Sequence, residues 1–252
     1  MAGYVRGIDV SLHQGEMDWP KIAAAGVDFA IVKATQTGFR DPDTDAIAPG
    51  SSPDRFFRVN QVGARRTMRR VGYYHWMYLE GGKSPAEQAR YFAATVGPRR
   101  PGEFMARDFA RTAARGRPPA VVIDGIRSFF RELESITRRV PWLYTSPGLA
   151  DSLDFGEHFA RHPLWVVWVR KGRKVQDRPT LPKGWPDFAA WQTGDHVEIP
   201  GIPGSVPGIT LAPASFLAAG AAPAARPWAK VAIGVGLGAV ALKVLHRKKG
   251  RR

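Results

Sequence analysis

The sequence predicts an α/β fold, a closed barrel of parallel strands wrapped by helices. Continuous apolar runs alternate with helix-like segments along most of the chain. Apolar runs of that kind suit a parallel sheet covered on its outside. About eight strands can be counted, the number that closes a β/α barrel and puts its site at the strand C-termini. An open doubly wound sheet is the alternative. No glycine-rich phosphate loop follows the first strand, so a dinucleotide site is not expected.

The elements follow in order. "YVRGIDVS" reads as a strand ending in Asp9 and Ser11, and "DWPKIAAAG" as a short helix stopped by Gly26. "VDFAIVKAT" is apolar and β-branched, hence a buried strand. In "DRFFRVNQVGARRTMRRVG" the residues Phe56, Phe57, Val59 and Val62 have helical spacing, and "VGYYHWMYL" returns to strand. "SPAEQARYFAATVG" opens with a Ser/Pro helix-start signal and closes at Gly97. After it come the strand "FMARDFA", the helix "AVVIDGIRSFFRELESITRR", and the strands "VPWLYTS", "PLWVVWVR" and "FAAWQTG".

This assigns residues 1–211 to the barrel. Residues 212–227, rich in alanine and proline, read as a linker. Residues 228–245 form a hydrophobic segment near the roughly 17–20 residues that a membrane span requires, with Trp228 at one interface. Gly234 and Gly238 make a small-xxx-small pair suited to helix packing. The segment is read as a membrane anchor; a helix docked on membrane or virion proteins is the alternative. Residues 246–252 are a basic tail.

The 252 residues contain no cysteine, which excludes disulfides and thiolate metal sites. The formal net charge of +15 favours polyanionic partners, and the tail is expected to contact anionic polymers. Arg65, Arg66, Arg69 and Arg70 read as a solvated helix face. No specific nucleic-acid motif is present. The N-terminus lacks the apolar stretch of a signal peptide. Nothing indicates a metal or organic cofactor.

Polar and aromatic residues collect where strands end. Asp9, Ser11, His13 and Gln14 follow the first; Lys33, Thr35 and Gln36 the second. Tyr74, His75 and Tyr78 lie on the third, Asp108 ends the fourth, and Tyr144 and Ser146 the next. Trp165, Trp168, Trp191 and Gln192 lie on the last ones. Aromatic faces stack on sugar rings and carboxylates bond to hydroxyls, so a glycan is the inferred substrate class.

With these residues in view, "GIDVSLHQGEMDW", "FAIVKATQTG", "FFRVNQVGARRTMRRVGYYHWM", "SPAEQARYF", "WLYTSPG", "PLWVVWV" and "FAAWQTG" resemble the successive motifs of the family 25 glycoside hydrolases, from about Gly7 to Gly204. These are N-acetylmuramidases, the lysozymes common in bacteriophage endolysins. The resemblance implies a TIM-like β/α barrel with irregular last strands, peptidoglycan glycan strands as partner, and a place in a phage virion or the host cell envelope. It marks Asp9 and Asp108 as catalytic carboxylates. It marks His13, Gln14, Lys33, Tyr74, His75, Tyr144, Trp165 and Trp191 as the substrate-binding set.

Two departures stand out. The family carries an Asp-x-Glu at the fourth strand, its Glu being the proposed general acid, and here Ala110 occupies that Glu position. The family also carries a late Asp, and "GSVPGITLAPASF" has no acidic residue. Asp124 is a rival alignment for Asp108, and it too lacks an acid two residues on. Glu80 and Glu103 are the candidates for a replacement acid, although neither falls on a matching position. The expectation is a glycan-binding or structural barrel with lost or reduced hydrolysis. The alternatives are an active muramidase and a purely structural virion component.

Overall fold

The computed structural model describes residues 3–40, 46–79, 82–109, 116–169, 178–204 and 208–218. Among the described residues there are nine strands: β1 (Tyr4–Val10), β2 (Phe29–Arg40), β3 (Ile47–Pro53), β4 (Arg70–Met77), β5 (Phe104–Asp108), β6 (Trp142–Thr145), β7 (Leu164–Val167), β8 (Ala190–His196) and β9 (Gly208–Pro213). Eight of them close a ring in the order β1-β2-β4-β5-β6-β7-β8-β9, with β9 returning to β1. Neighbours from β1 round to β8 pair in parallel, whereas β9 runs antiparallel to both β8 and β1. The short β3 pairs antiparallel with the upper part of β2, beyond the reach of β1.

Strand alternation sorts the core into two layers. Phe29, Ile31, Tyr74, Phe104, Ala106, Trp142, Trp165 and Ala190 fill the barrel interior. Val32, Tyr73, Leu143, Val166 and Trp191 point outward, into the larger cluster that the helices cover. Gly72 is needed on the inner face, because a Cβ there would lie 2.2 Å from the Phe104 ring.

The helices begin where their caps dictate. Asp18 accepts from the Lys21 N–H at the start of α1 (Trp19–Ala24). A reciprocal Ser84–Glu87 box starts α3 (Pro85–Val96). Helix α2 (Phe57–Thr67) stops sooner than its sequence suggests, because Arg70 already belongs to β4. Helix α4 (Pro119–Thr137) packs on α3 through Phe92 and Phe129, whose rings stack at 6.4 Å. Two short helices, α5 (Pro147–Ser152) and α6 (Phe155–Phe159), occupy a stretch with no assignment from sequence.

The barrel does not end at residue 211. Strand β9 continues to Pro213, and α7 (Ser215–Ala218) tucks Phe216 and Leu217 into the interior cluster. Phe216 plugs the N-terminal end of the barrel against Phe29, Phe104 and Trp142, with ring centroids 4.8, 5.9 and 5.8 Å away. Residues 212–218 are therefore barrel, not linker. Truncating that ring, Phe216→Ala, is expected to destabilise the fold by ~3–5 kcal/mol. A urea unfolding midpoint measures this, and an unchanged midpoint would contradict the plug.

The arginine stretch also departs from a solvated face. Arg66 and Arg69 are exposed, but Arg65 forms a paired-fork salt bridge to buried Glu103 at 2.7 and 2.8 Å, and Arg70 is half-buried. Ala110, Glu80, the rest of the linker, the hydrophobic segment 228–245 and the basic tail lie outside the described residues. Among the described residues, no helix is long and apolar enough to cross a membrane.

Candidate active site

The parallel register sets one row of residues across the C-terminal mouth. Gln36 on β2 faces Trp76 on β4, Trp76 faces Asp108 on β5, Asp108 faces Tyr144 on β6, and Tyr144 faces Trp165 on β7. Lys33 and Tyr74 form the next level down. Asp9 closes the circle between β2 and β9.

Asp9 is held as a hydrogen-bond acceptor. Gln192 Nε2 donates to its Oδ1 at 2.6 Å, and the Tyr144 hydroxyl donates to Gln192 Oε1 at 2.6 Å, which fixes the orientation of that amide. The Thr210 hydroxyl reaches the same Oδ1 at 3.4 Å. Thr210 and Gly208 lie on β9, the strand in the stretch without an acidic residue. A Cβ at Gly208 would lie 2.5 Å from Asp9 Oδ1 and 2.6 Å from Gln192 Nε2, so any side chain there would displace this pair.

Asp108 sits in a different environment. It is only 6% exposed, and its Oδ1 has no hydrogen-bond partner. Burial pushes its carboxyl up to about 7; Lys33 and Arg107 oppose the rise, and Asp9 adds to it. The two carboxyls thus sit in different environments, Asp9 engaged as a hydrogen-bond acceptor and Asp108 keeping its proton close to neutrality. Lys33 is also depressed by burial, with Asp54 and Asp108 offsetting part of the shift. Its Nζ donates to Gln36 Oε1 at 2.7 Å and lies 5.5 Å from the centre of the Trp76 ring.

Aromatic rings floor the mouth. Tyr144 meets Trp165 edge-on at 4.5 Å, and Tyr74 meets the same indole at 6.0 Å. Burial raises both tyrosine hydroxyls well above their usual range, with Asp9 and Asp108 adding to it. Both stay protonated donors.

Asp9, Lys33, Tyr74, Asp108, Tyr144 and Trp165 are thus brought together. Four other expected sugar contacts, His75, Trp191, Gln14 and His13, are not. His75 faces outward between Phe92 and Phe129, with Thr35 at its Nδ1 (2.7 Å) and Gln88 at its Nε2 (3.1 Å). Burial lowers it to about 3, so it is a neutral core histidine. Trp191 also points to the helix side, its Nε1 donating to the Trp168 carbonyl at 3.2 Å. Gln14 is buried and caps a single 3-10 turn, Leu12–Gln14, its Oε1 accepting from Ser11 N at 2.7 Å. His13 lies exposed in that turn.

The sequence reading passed over Trp76, which is half-exposed on the inner phase of β4, and Asp54. Asp54 accepts from the Leu12 and Phe56 N–H groups at 2.8 and 3.0 Å, tying the β1 turn to the start of α2. Glu103 is removed as a replacement acid. It precedes β5 at the opposite end from Asp108 and is saturated by Arg65, the Tyr73 hydroxyl (2.9 Å) and the Arg100 N–H (2.9 Å). Among the described residues no group of three His, Asp and Glu side chains could hold a metal ion.

The family described as Glycosyl hydrolases family 25 matches residues 8–202. An N,O-diacetylmuramidase of Chalaropsis sp is 27% identical over 204 residues, covering 76% of this chain and 88% of that protein. Lysozyme M1 of Streptomyces globisporus is 27% identical over 213 residues, covering 80% of this chain and 66% of its own length. The crystal structure of a bacterial lysozyme from Streptomyces coelicolor superimposes with a TM-score of 0.70 at 24% identity, over 87% of this chain and 98% of that one.

Proposed function

The chain belongs to the glycosyl hydrolases of family 25, and on that footing we propose that its barrel mouth binds peptidoglycan glycan strands while hydrolysing them slowly or not at all. The observation that carries this reading is the combination of a kept pair, Asp9 and Asp108 above an aromatic floor, with an alanine at position 110. Glycoside cleavage needs a proton at the leaving oxygen and a second group supporting the oxocarbenium-like transition state. Asp9 is committed to Gln192 and Thr210 as an acceptor. Asp54 is engaged by two backbone N–H groups. Asp108 can carry a proton near neutral pH, but it is almost wholly enclosed, a poor position from which to reach a leaving oxygen.

Losing the general acid is worth roughly 10²–10⁴-fold in rate. The full chain is therefore expected to release reducing ends from peptidoglycan at least ~10²-fold more slowly than an active muramidase of the family. Ala110→Glu alone is not expected to restore lysis, because β9 still lacks an acidic residue. Rapid clearing of a wall suspension by the unaltered chain overturns the loss of hydrolysis. The chain is expected to co-sediment with insoluble peptidoglycan, and Trp76→Ala to weaken that capture. No capture of the unaltered chain favours a purely structural role, and equal capture by both forms places the binding away from Trp76.

A bacteriophage setting, as lysin or virion component, belongs to the same proposal and rests on the family resemblance. So does tethering to a membrane or a protein assembly through residues 228–245. Flotation of the full chain with liposomes, set against a chain ending at Ala218, tests the membrane branch.

A further inference from the structure

The pole of the barrel opposite the glycan mouth carries a second feature that the proposed function does not use. A cavity of about 270 Å³ lies between the N-terminal ends of β4, β5 and β6, with Arg70, Arg99, Arg139, Thr137 and Trp142 among its walls. That volume is on the order of nine waters, small for a sugar chain and ample for one compact ion.

The three arginines come from three places: the start of β4, the loop after α3 and the loop after α4. The bonds of Arg70 and Arg99 go to backbone oxygens. Arg70 donates to the carbonyls of Gly102 at 2.9 Å and Phe216 at 2.5 Å. Arg99 donates to the Thr137 carbonyl at 2.6 Å. Among the described residues none of the three forms a salt bridge with a carboxylate. The one acid lining the cavity, Glu103, is already taken up by Arg65 on its far side. Ring faces hold the Arg70 guanidinium in place, with Phe216 at 4.0 Å and Phe104 at 5.5 Å. Burial and the neighbouring Arg139 both disfavour the charge on Arg70 and on Arg99, with Glu103 offsetting part of this at Arg99. Like charges gathered without a salt-bridged carboxylate of their own are unfavourable, and an anion placed among them offsets that cost.

We propose that this cavity is an anion site for a phosphate group, either free or within a polyol-phosphate chain. A carboxylate offers one planar pair of oxygens and suits a single guanidinium fork. A tetrahedral phosphate presents oxygens in three dimensions and up to two charges, which matches cations arriving from three sides. The site is independent of the reading of the glycan mouth.

The test is calorimetric titration of the full chain with inorganic phosphate, glycerol phosphate and a short glycerol-phosphate oligomer, at ionic strength matched with chloride. Saturable binding is expected with a dissociation constant of ~0.1–1 mM. Arg139→Gln, at an exposed position, and Arg99→Gln are each expected to weaken it about tenfold or more, roughly one guanidinium–oxyanion contact. Arg66→Gln, also exposed but away from the cavity, should leave it unchanged. Tighter binding of the oligomer assigns the polymer as the ligand, and tighter binding of inorganic phosphate assigns the free ion. No heat beyond the chloride control, or binding equally strong in the Arg99 and Arg139 variants, overturns the proposal. Circular dichroism of each variant separates a lost site from a lost fold.

Discussion

Replacing Asp108 with asparagine is expected to make the protein more stable, and increasingly so as pH rises. The folded carboxyl titrates at about 7, against 3.8 for the free group. Its contribution is fully present below the unfolded value and is lost as pH climbs through the folded one. Above pH 7 the wild type holds an enclosed carboxylate at a cost on the order of 4 kcal/mol, from 1.36 kcal/mol per pH unit. Asparagine has nearly the same shape and nothing to ionise. The variant should therefore match the wild type near pH 4 and exceed it at pH 8 by roughly 10 °C in Tm, at 2–4 °C per kcal/mol. Thermal unfolding at both pH values measures this. A stabilised variant would mean that Asp108 is kept at the expense of stability, as a functional-site residue would be and a scaffold residue would not. Equal melting curves at pH 8 would show that the carboxylate is well solvated, and the enclosed site described for it would be wrong.

Acid is expected to act on the fold in the opposite direction, through two histidines. His75 is lowered to about 3 by burial, and His162 to about 4 by burial, partly offset by its bond to the Pro141 carbonyl. A base depressed in the folded state contributes stability above its unfolded pKa, 6.5 here, and loses it as pH falls below that value. Near pH 4 the two together destabilise by roughly 6 kcal/mol, counted at 1.36 kcal/mol per pH unit for each. Asp108 gives back roughly 4 kcal/mol over the same window, so the wild type should lose far less than the histidines alone imply. In the Asp108→Asn background that compensation vanishes and acid unfolding should become steep. Urea midpoints from pH 7 to 4 in both backgrounds test it. His162→Gln should flatten the slope by about one proton, and an unchanged slope would place the titration elsewhere.

Much of the barrel was legible because its strands are covered on both faces. Seven runs from "YVRGIDVS" to "FAAWQTG" stand out as apolar segments and became β1, β2 and β4 to β8. Strand β3 was hidden because "IAPGSSP" has the proline and glycine of a loop and pairs along one side of β2 only. The end of the domain was misread because Ala212, Pro213 and Ala214 match the composition of the tail, while the decisive residue is the single ring of Phe216. At the site the difficulty was phase. Adjacent residues on a strand face opposite ways, so Tyr74 and His75, or Trp191 and Gln192, cannot share a pocket. A polar residue near a strand end gives no hint of which side it takes until the register is known. Asp54 carried the weaker signal of an acid just before a helix, and its link to Leu12 spans 42 residues.

The reversed direction of β9 has a bearing on how the molecule is oriented in its surroundings. Because that strand descends while its neighbours rise, the chain leaves the barrel floor beside Phe216, diametrically away from Asp9 and Asp108. On the proposed tethering through residues 228–245, attachment and glycan binding would lie at opposite poles of the barrel and not compete for one surface.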